Sequence, residues 1–583
     1  MRLRWITASL VLGLAACSGG GGGSGSPAPA PITLSAADMQ AISDARSAIA
    51  AANAQNQIVA SVSTATANGA QVNLFQFTDG TEVALPTRVI QSVSEDQAAW
   101  RATVRFTDQQ ESSFFLRGTT LGLDASQVSV NPFGTAPLSA QAQFSTPAPG
   151  RIRVVVQPRG SNGIPMEHAF AATGRSFSVP VLGLYADHAN LVEFQFSDVA
   201  GNLLATDIVT VQTVALGQAF NLSILQNTLP ADDDGVYMIA NNKLAFDQRG
   251  EVRWALTDPA VSFVFRKLPN GSLTASNTDA SASYHFGAFT ETTMLGQVAR
   301  RFDVPNLIHH EMTLSEATGT YFVATNSFPV ASTAAFRDGL PEEDLVIEIN
   351  PVTQQVVRQW DFNLLLDPDR VGINDPASRP DDWAHINAIY YDEADNSIVA
   401  SVRSQSVVAK VDRDTGDLVW LLGAHGQWPF ALQQYLLTPV DANGTPLDVN
   451  TAGFWPSGQH APLKLPNGDI LLYDNGNDRA LHTGETVPAL YSRAVQYRID
   501  EAAMTIQLVD QFPDHQDWYT PATGDVDYLE STGGRLISFL WGSADTPRII
   551  ELDASGDVVF EATQNLGANY YRAEKFRLYD GIE

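Results

Sequence analysis

Residues 381–423 read DDWAHINAIYYDEADNSIVASVRSQSVVAKVDRDTGDLVWLLG. Within them YYDEADNSIVASV (390–402) is a tight turn between two apolar runs, and VDRDTGDLVW (411–420) is a turn leading into an outgoing apolar strand ending on an aromatic residue. Two hairpin-type turns joining apolar runs predict about four antiparallel strands. The first pattern recurs at 237–246 (YMIANNKLAF), 267–275 (KLPNGSLTA), 313–325 (TLSEATGTYFVAT), 464–473 (KLPNGDILLY) and 528–539 (YLESTGGRLISF). The second recurs at 246–254, 289–298, 349–360, 498–509 and 552–560, so that each pattern occurs six times and the two alternate. Four strands per unit is the make-up of one propeller blade, and six units predict a six-bladed β-propeller over 219–583. A second pair of β-sandwiches is the rival architecture.

Upstream of the repeats the chain divides further. Ser35 to Asn56 is alanine-rich. Ser35 and Asp38 have capping-box spacing, and Met39, Ile42 and Ile49 share one helical face, which predicts a short helix. Alternating runs follow to Val128, such as VNLFQFTDGTEVAL with its Asp-Gly turn, and again over Val130–Leu216, as in RIRVVVQPRG and VEFQFSDVAGNLLATDIVTV. Both blocks read as small β-sandwiches, which assigns 35–128 to a helix plus an extra β-rich domain and 129–218 to a sandwich. The whole chain is expected to be all-β, with the propeller last.

The N-terminus carries targeting signals. Arg2 and Arg4 precede the apolar run Trp5–Ala16, which is too short to span a bilayer but suits a signal-peptide core. The run ends Leu14-Ala15-Ala16-Cys17, resembling a bacterial lipoprotein cleavage box, and SGGGGGSGSPAPAP then reads as a flexible tether. Residues 1–16 are therefore expected to be removed, Cys17 to take the lipid, and 17–34 to link the protein to a membrane that it does not enter. Ser18 replaces the aspartate that retains some lipoproteins at the inner membrane, which points to a periplasmic or cell-surface lipoprotein of the outer membrane. The net charge of −30 argues against nucleic acid, which needs a basic face. It also repels anions, so an anionic substrate must be held by local cations and hydrogen-bond donors. With one cysteine, no disulfide can form within the chain.

Three histidine sites stand just before the first strand of a unit: His309 and His310 in NLIHHEMTL, His385 in DDWAHINAIYY, and His460 in SGQHAPLKL. First strands of blades line a propeller's central channel, so these side chains are expected to converge. His168, His188, His285, His425, His482 and His515 lack this register and read as structural or surface residues. Asn387 lies two residues beyond His385, on the same strand face. Arg403 ends the next strand, and antiparallel pairing brings it back beside His385. Neutral imidazole is a nucleophile near pH 7, a second imidazole can move a proton, and an amide with an arginine can stabilise equatorial oxygens of a transferred anionic group. Three histidines also suit zinc, and a binding propeller without catalysis is a further reading.

HHEMTL, the 381–423 unit, GQHAPLKLPNGDILLYDNGN and YSRAVQYRIDE together resemble the bacterial arylsulfate sulfotransferases that use no nucleotide donor, and NPFGTAPLSAQ and VPVLGLYADHANLVEF resemble that family's N-terminal sandwich. The likeness covers about Val130 to Asp580. It implies a six-bladed propeller, no cofactor and no metal, and passage of sulfate from an aryl sulfate to a histidine and on to a phenol. By motif, His460 would be the sulfated nucleophile. His385, Asn387 and Arg403 would complete the pocket with His309 or His310, both carried because counting does not choose between them. Thr523, before Gly524-Asp525-Val526, is the candidate for a substrate-binding hydroxyl of the last blade. The implied partners are small phenols and aryl sulfates, with a homo-oligomer allowed and hydrolysis of aryl sulfates as the alternative reaction. Better-known members of the family carry a disulfide near the site. Here the long segment before His460 is expected to be held by packing alone.

Overall fold

The computed structural model describes residues 34–97, 99–118, 120–217, 220, 222–240, 242–277, 285–326, 344–373, 382–484, 490–513, 518–540, 547–564 and 571–583. Cys17, its leader and its tether lie outside them, as does His515. The chain forms two compact units, one of residues up to Asp96 with Arg101–Leu116, the other of Gln97–Trp100 with Arg117–Glu583.

In the first unit Ser35 caps the helix Ala36–Ala54 by accepting the Asp38 N–H. Ile42, Ala45, Ile49 and Ala52 form its buried stripe, while Met39, in the first turn, is 56% exposed and falls off the packed face. The strands make one six-stranded sheet whose central pair, Ile58–Ala67 and Glu111–Leu116, runs parallel. The helix stripe and the sheet residues Phe75, Val104, Phe106 and Phe114 share one apolar cluster. This corrects the sandwich expectation for 35–128: the apolar face of the sheet is covered by the upstream helix instead of a second sheet.

The second unit begins with a sandwich. Its strand Ser139–Val156 pairs first with Gly174–Leu182 and Val128–Val130, then with Ala189–Ser197 and Met166–Ala169. The change falls at Pro147-Ala148-Pro149-Gly150, where two prolines donate nothing to a ladder. Phe144 and Phe177 from one side meet Phe194 and Phe196 from the other, which closes the core. The sandwich is bound to the repeats by Arg253, which is fully buried. It pairs with Asp247 at 2.9 Å, donates to the carbonyls of Gly183 and Ile164, and lies over the Tyr185 ring.

The repeats form a β-propeller. Consecutive antiparallel meanders follow the hairpins read from sequence, and the chain ends complete each other's sheets. Leu222–Asn227 pairs with Val558–Gln564, and Ala573–Phe576 pairs with Val236–Ile239. Among the described residues the strands Val261–Lys267, Val298–Ser315, Ile386–Asp392, His460–Lys464, Asp525–Leu529 and Ala573–Phe576 each touch the next, and the last touches the first. These strands line a closed central channel.

The segment preceding His460 is packed onto this ring. Trp428 and Leu436 join one apolar cluster, and Leu437, Phe454 and Trp455 another. Packing is not its only anchor, contrary to expectation. Buried Asp474 holds Arg479 at 2.8 Å and Arg493 at 2.9 Å, and these arginines donate to the carbonyls of Trp455 and Gly453. Asp474 also accepts the Ser457 N–H. A buried ion network with satisfied hydrogen bonds thus braces the segment in a chain without a disulfide.

Candidate active site

His385 and His460 stand where an inner strand begins, whereas His310, expected at such a start, lies inside the long strand Val298–Ser315 where its pairing slips, and all three positions are irregular. The backbones of His310 (φ 46°), His385 (φ 54°), Ala461 (φ 49°) and Thr523 (φ 63°) are left-handed, and the pairing slips at Ile308/Met312, Ile386/Ala388 and His460/Leu463. Left-handed non-glycine residues and bulges re-aim side chains at a cost that the surrounding fold must carry, and they concentrate at functional sites.

His460 is 2% exposed, and its Nδ1 lies 2.6 Å from Asn475 Oδ1. The Asn475 orientation is determined by its other end, 2.8 Å from the carbonyls of both Thr520 and Thr523, which only an NH2 group can satisfy. Asn475 therefore presents its oxygen to His460, Nδ1 carries the proton, and Nε2 carries the lone pair. Burial, then the positive charge of Arg403, hold His460 well below the usual imidazole range, against the opposing pull of Asn475.

His385 has a different partner: its Nδ1 donates to the Asp382 carboxylate at 2.7 Å. Its ring lies 4.6 Å from that of His310. The two adjacent histidines divide clearly. His309 Nε2 donates to the Thr325 carbonyl at 3.0 Å, leaving Nδ1 as acceptor for His310 Nδ1 at 3.2 Å. His310 thus faces His385, and His309 stands behind it. Burial, followed by His385 and His309, pushes His310 well below its ordinary pKa.

Antiparallel pairing returns Arg403 to His385 as the sequence predicts: Ile386 pairs with Val402, and the Arg403 N–H donates to the His385 carbonyl at 3.1 Å. The Arg403 guanidinium reaches the Pro521 carbonyl at 3.3 Å. Asn387 is fully buried, donates to the Gln459 carbonyl at 2.9 Å, and has no partner for its Oδ1 among the described residues. The Thr523 hydroxyl, also buried, has none either.

Several residues of this neighbourhood escaped the sequence reading. Asn475 and Asp382 are two. Tyr571 and Arg572 are two more: both donate at 3.0 Å to the Asn387 carbonyl, and Arg572 pairs with Glu311 at 2.6 Å. Glu311 also accepts from Arg266 at 2.9 Å. Burial pushes the Glu311 carboxyl up, but the two arginines prevail and hold it below the usual range. Further along the channel wall, burial raises Asp525, Asp527 and Glu574. His285, set aside for want of register, is fully buried with its ring 5.5 Å from His309. The other described histidines outside the register are structural: His425 and His482 bond the Leu437 and Val371 carbonyls, while His168 stacks on Tyr579 and His188 meets Tyr185. Among the described residues no group of three or more His, Cys, Asp or Glu is arranged to hold a metal.

The converging histidines and five of the six inner strands lie inside a region, residues 222–572, that matches the family model described as arylsulfotransferase (ASST), and residues 127–214 match the arylsulfotransferase Ig-like domain. The chain belongs to the arylsulfotransferase family. It is 25% identical over 542 residues to the arylsulfate sulfotransferase AssT of Escherichia coli O6:H1, covering 73% of this chain and 88% of that protein. It is also 25% identical over 538 residues to the arylsulfate sulfotransferase AssT of Lelliottia amnigena, covering 73% and 87%. The protein is accordingly an arylsulfotransferase enzyme with a propeller scaffold. No helix among its described residues is long and apolar enough to cross a membrane.

Proposed function

We propose that this arylsulfotransferase is a six-bladed propeller that moves the sulfuryl group of an aryl sulfate to a phenol in two steps through sulfated His460. The observation that carries the reading is the contact of buried His460 Nδ1 with Asn475 Oδ1 at 2.6 Å, which favours the tautomer with its proton on Nδ1 and its lone pair on Nε2. In the first step Nε2 attacks sulfur, an N–S bond forms, and the S–O bond to the aryl group breaks. The aryl oxygen leaves with the bonding pair and takes a proton from His385, whose imidazolium form is supported by Asp382. In the second step His385 removes the proton of an incoming phenol, whose oxygen attacks the sulfuryl group and releases His460. Arg403, with Asn387 and Thr523, bears on the sulfuryl oxygens, where charge is spread in transit, and His310 completes the pocket beside His385. His309 supports His310.

Cys17 is the proposed lipid site, and the tether would hold the enzyme at the outer membrane, on the periplasmic or cell-surface side. No cofactor takes part. Donor alone should release one aryl product per enzyme and leave one sulfuryl group on the peptide containing His460, seen by mass spectrometry at mildly alkaline pH. His460→Ala should fold normally and lose both the modification and turnover. An unmodified His460 or normal activity of His460→Ala would refute the assignment. Product release that does not rise with added phenol would favour hydrolysis over transfer.

A further inference from the structure

We propose that Asn475 is a positioning residue that selects the His460 tautomer and couples that choice to the segment carrying Thr523. The inference rests on His460 as nucleophile but concerns a residue outside the sulfuryl pocket.

Asn475 follows the strand Ile470–Asp474, which pairs with the strand of His460, so that His460 lies opposite Tyr473 and the next turn comes back beside the imidazole. The side chain is fully buried and all its polar atoms are used. Oδ1 accepts from His460 Nδ1 at 2.6 Å, and Nδ2 donates at 2.8 Å to each of the Thr520 and Thr523 carbonyls. Its backbone is equally constrained. Ser492 Oγ donates to the Asn475 carbonyl at 2.7 Å, and Asp474 accepts the Gly476 N–H at 3.0 Å. Gly476 sits at φ 76°, where a Cβ would come within 1.9 Å of the Tyr491 carbonyl oxygen, so this turn has one geometry.

The chemistry explains why an amide stands here. A histidine that must attack needs its lone pair aimed and its ring neutral. A carboxylate at this position would also bind Nδ1–H, as Asp382 does for His385, but it would favour the imidazolium and reduce the reactive population. The amide aims the ring without charging it. After N–S bond formation the ring is cationic, and the same Nδ1–H···O contact becomes charge-assisted, which strengthens it as the intermediate forms.

The experiment combines selective ¹⁵N-histidine NMR of the full-length enzyme, with His460→Ala for assignment, and pH profiles of Asn475→Asp and Asn475→Leu. His460 in the wild type should show a pyrrole-type Nδ1 and a pyridine-type Nε2. In Asn475→Asp the acid limb of kcat/KM for the donor should move to higher pH, with activity recovering at alkaline pH. In Asn475→Leu kcat should fall by about 10²-fold at every pH without alkaline recovery, as expected for a misaligned reacting group. A pyridine-type Nδ1, tautomers in equal exchange, or unchanged profiles in both variants would overturn the proposal. The NMR signature needs no turnover, so a correct tautomer with no sulfated His460 would reject the nucleophile while leaving the positioning role intact.

Discussion

In the proposed reaction Arg403 makes two separable contributions, and two substitutions tell them apart. Its guanidinium is placed by the Pro521 carbonyl at 3.3 Å, and its main-chain N–H is tied to the His385 carbonyl at 3.1 Å, so a change of side chain leaves the local pairing in place. One contribution is to transition-state charge. Loss of a preorganised donor to a developing oxyanion costs about 10²–10³ in kcat, or about 3–4 kcal/mol. The other is to His460, which Arg403 holds below the usual imidazole range, second only to burial. Arg403→Ala should therefore lower kcat by about 10³-fold. It should also move the acid limb of kcat/KM to higher pH, because His460 attacks only when neutral and loss of the neighbouring charge raises its proton affinity. Arg403→Lys keeps the charge but loses the fork, so kcat should fall by about 10²-fold with the acid limb unmoved. The assay is stopped-flow release of a chromogenic phenol from donor alone, followed by steady-state turnover with acceptor across pH. A raised KM with unchanged kcat in either variant, or an unmoved acid limb in Arg403→Ala, would refute the reasoning.

The channel wall supplies two further tests. Asp525 is buried, and burial raises its pKa against the opposing pull of Arg572 and Arg266. An acid raised in the folded state stabilises the fold below its unfolded pKa of about 3.9, and that stability is lost as pH rises through the folded value. Asp525→Asn should therefore raise Tm at pH 8 relative to the wild type, with the difference vanishing near pH 4, and an equal gain at both pH values would contradict this. Glu311→Gln removes the counter-charge of Arg572, which is 1% exposed, and should cost about 3–5 kcal/mol in urea unfolding. A loss within ±0.5 kcal/mol would show that the pair is not needed as a pair.

Local patterning made most of the fold legible. The Ser35 cap and the alanine-rich run place the first helix within two residues of its ends, because both signals are carried by neighbours in sequence. The propeller was legible because its unit repeats: the same hairpin at 390–402 and 464–473 implies the same strands. What covers a sheet was not. The alternation in Gln71–Phe77 reveals a buried face but does not say whether a helix or another sheet lies on it, and here the helix is upstream. Ring closure was hidden for a related reason. The pairing of Ala573–Phe576 with Val236–Ile239 joins residues more than 300 apart, and nothing local marks either strand as a partner of the other.

The site divides along the same line. Arg403 was found by following one hairpin from His385 back to the inner edge. The same step from His460 arrives at Asn475, but DNGN reads as turn chemistry, and turn chemistry masks the amide that orients the imidazole. His285 is reached one strand further out, because Phe286 pairs with Ile308 and so brings it against His309. Tyr571 and Arg572 have no such route, since they arrive with the closing strand. The choice between His309 and His310 needed protons, which a residue count does not contain. Thr325 meets His309 with its carbonyl, its hydroxyl being spent on Pro305 and Leu307, so His309 must give its Nε2 proton there and accept from His310 on Nδ1, which commits the Nδ1 proton of His310 to His309 and leaves His310 to meet His385. His310, His385 and His460 therefore all commit Nδ1 to the scaffold. What separates them is the partner at Nδ1: an imidazole, a carboxylate and an amide. A carboxylate favours a charged ring and an amide a neutral one, so the acid–base and nucleophilic roles proposed for His385 and His460 would be divided by neighbours that no histidine motif contains.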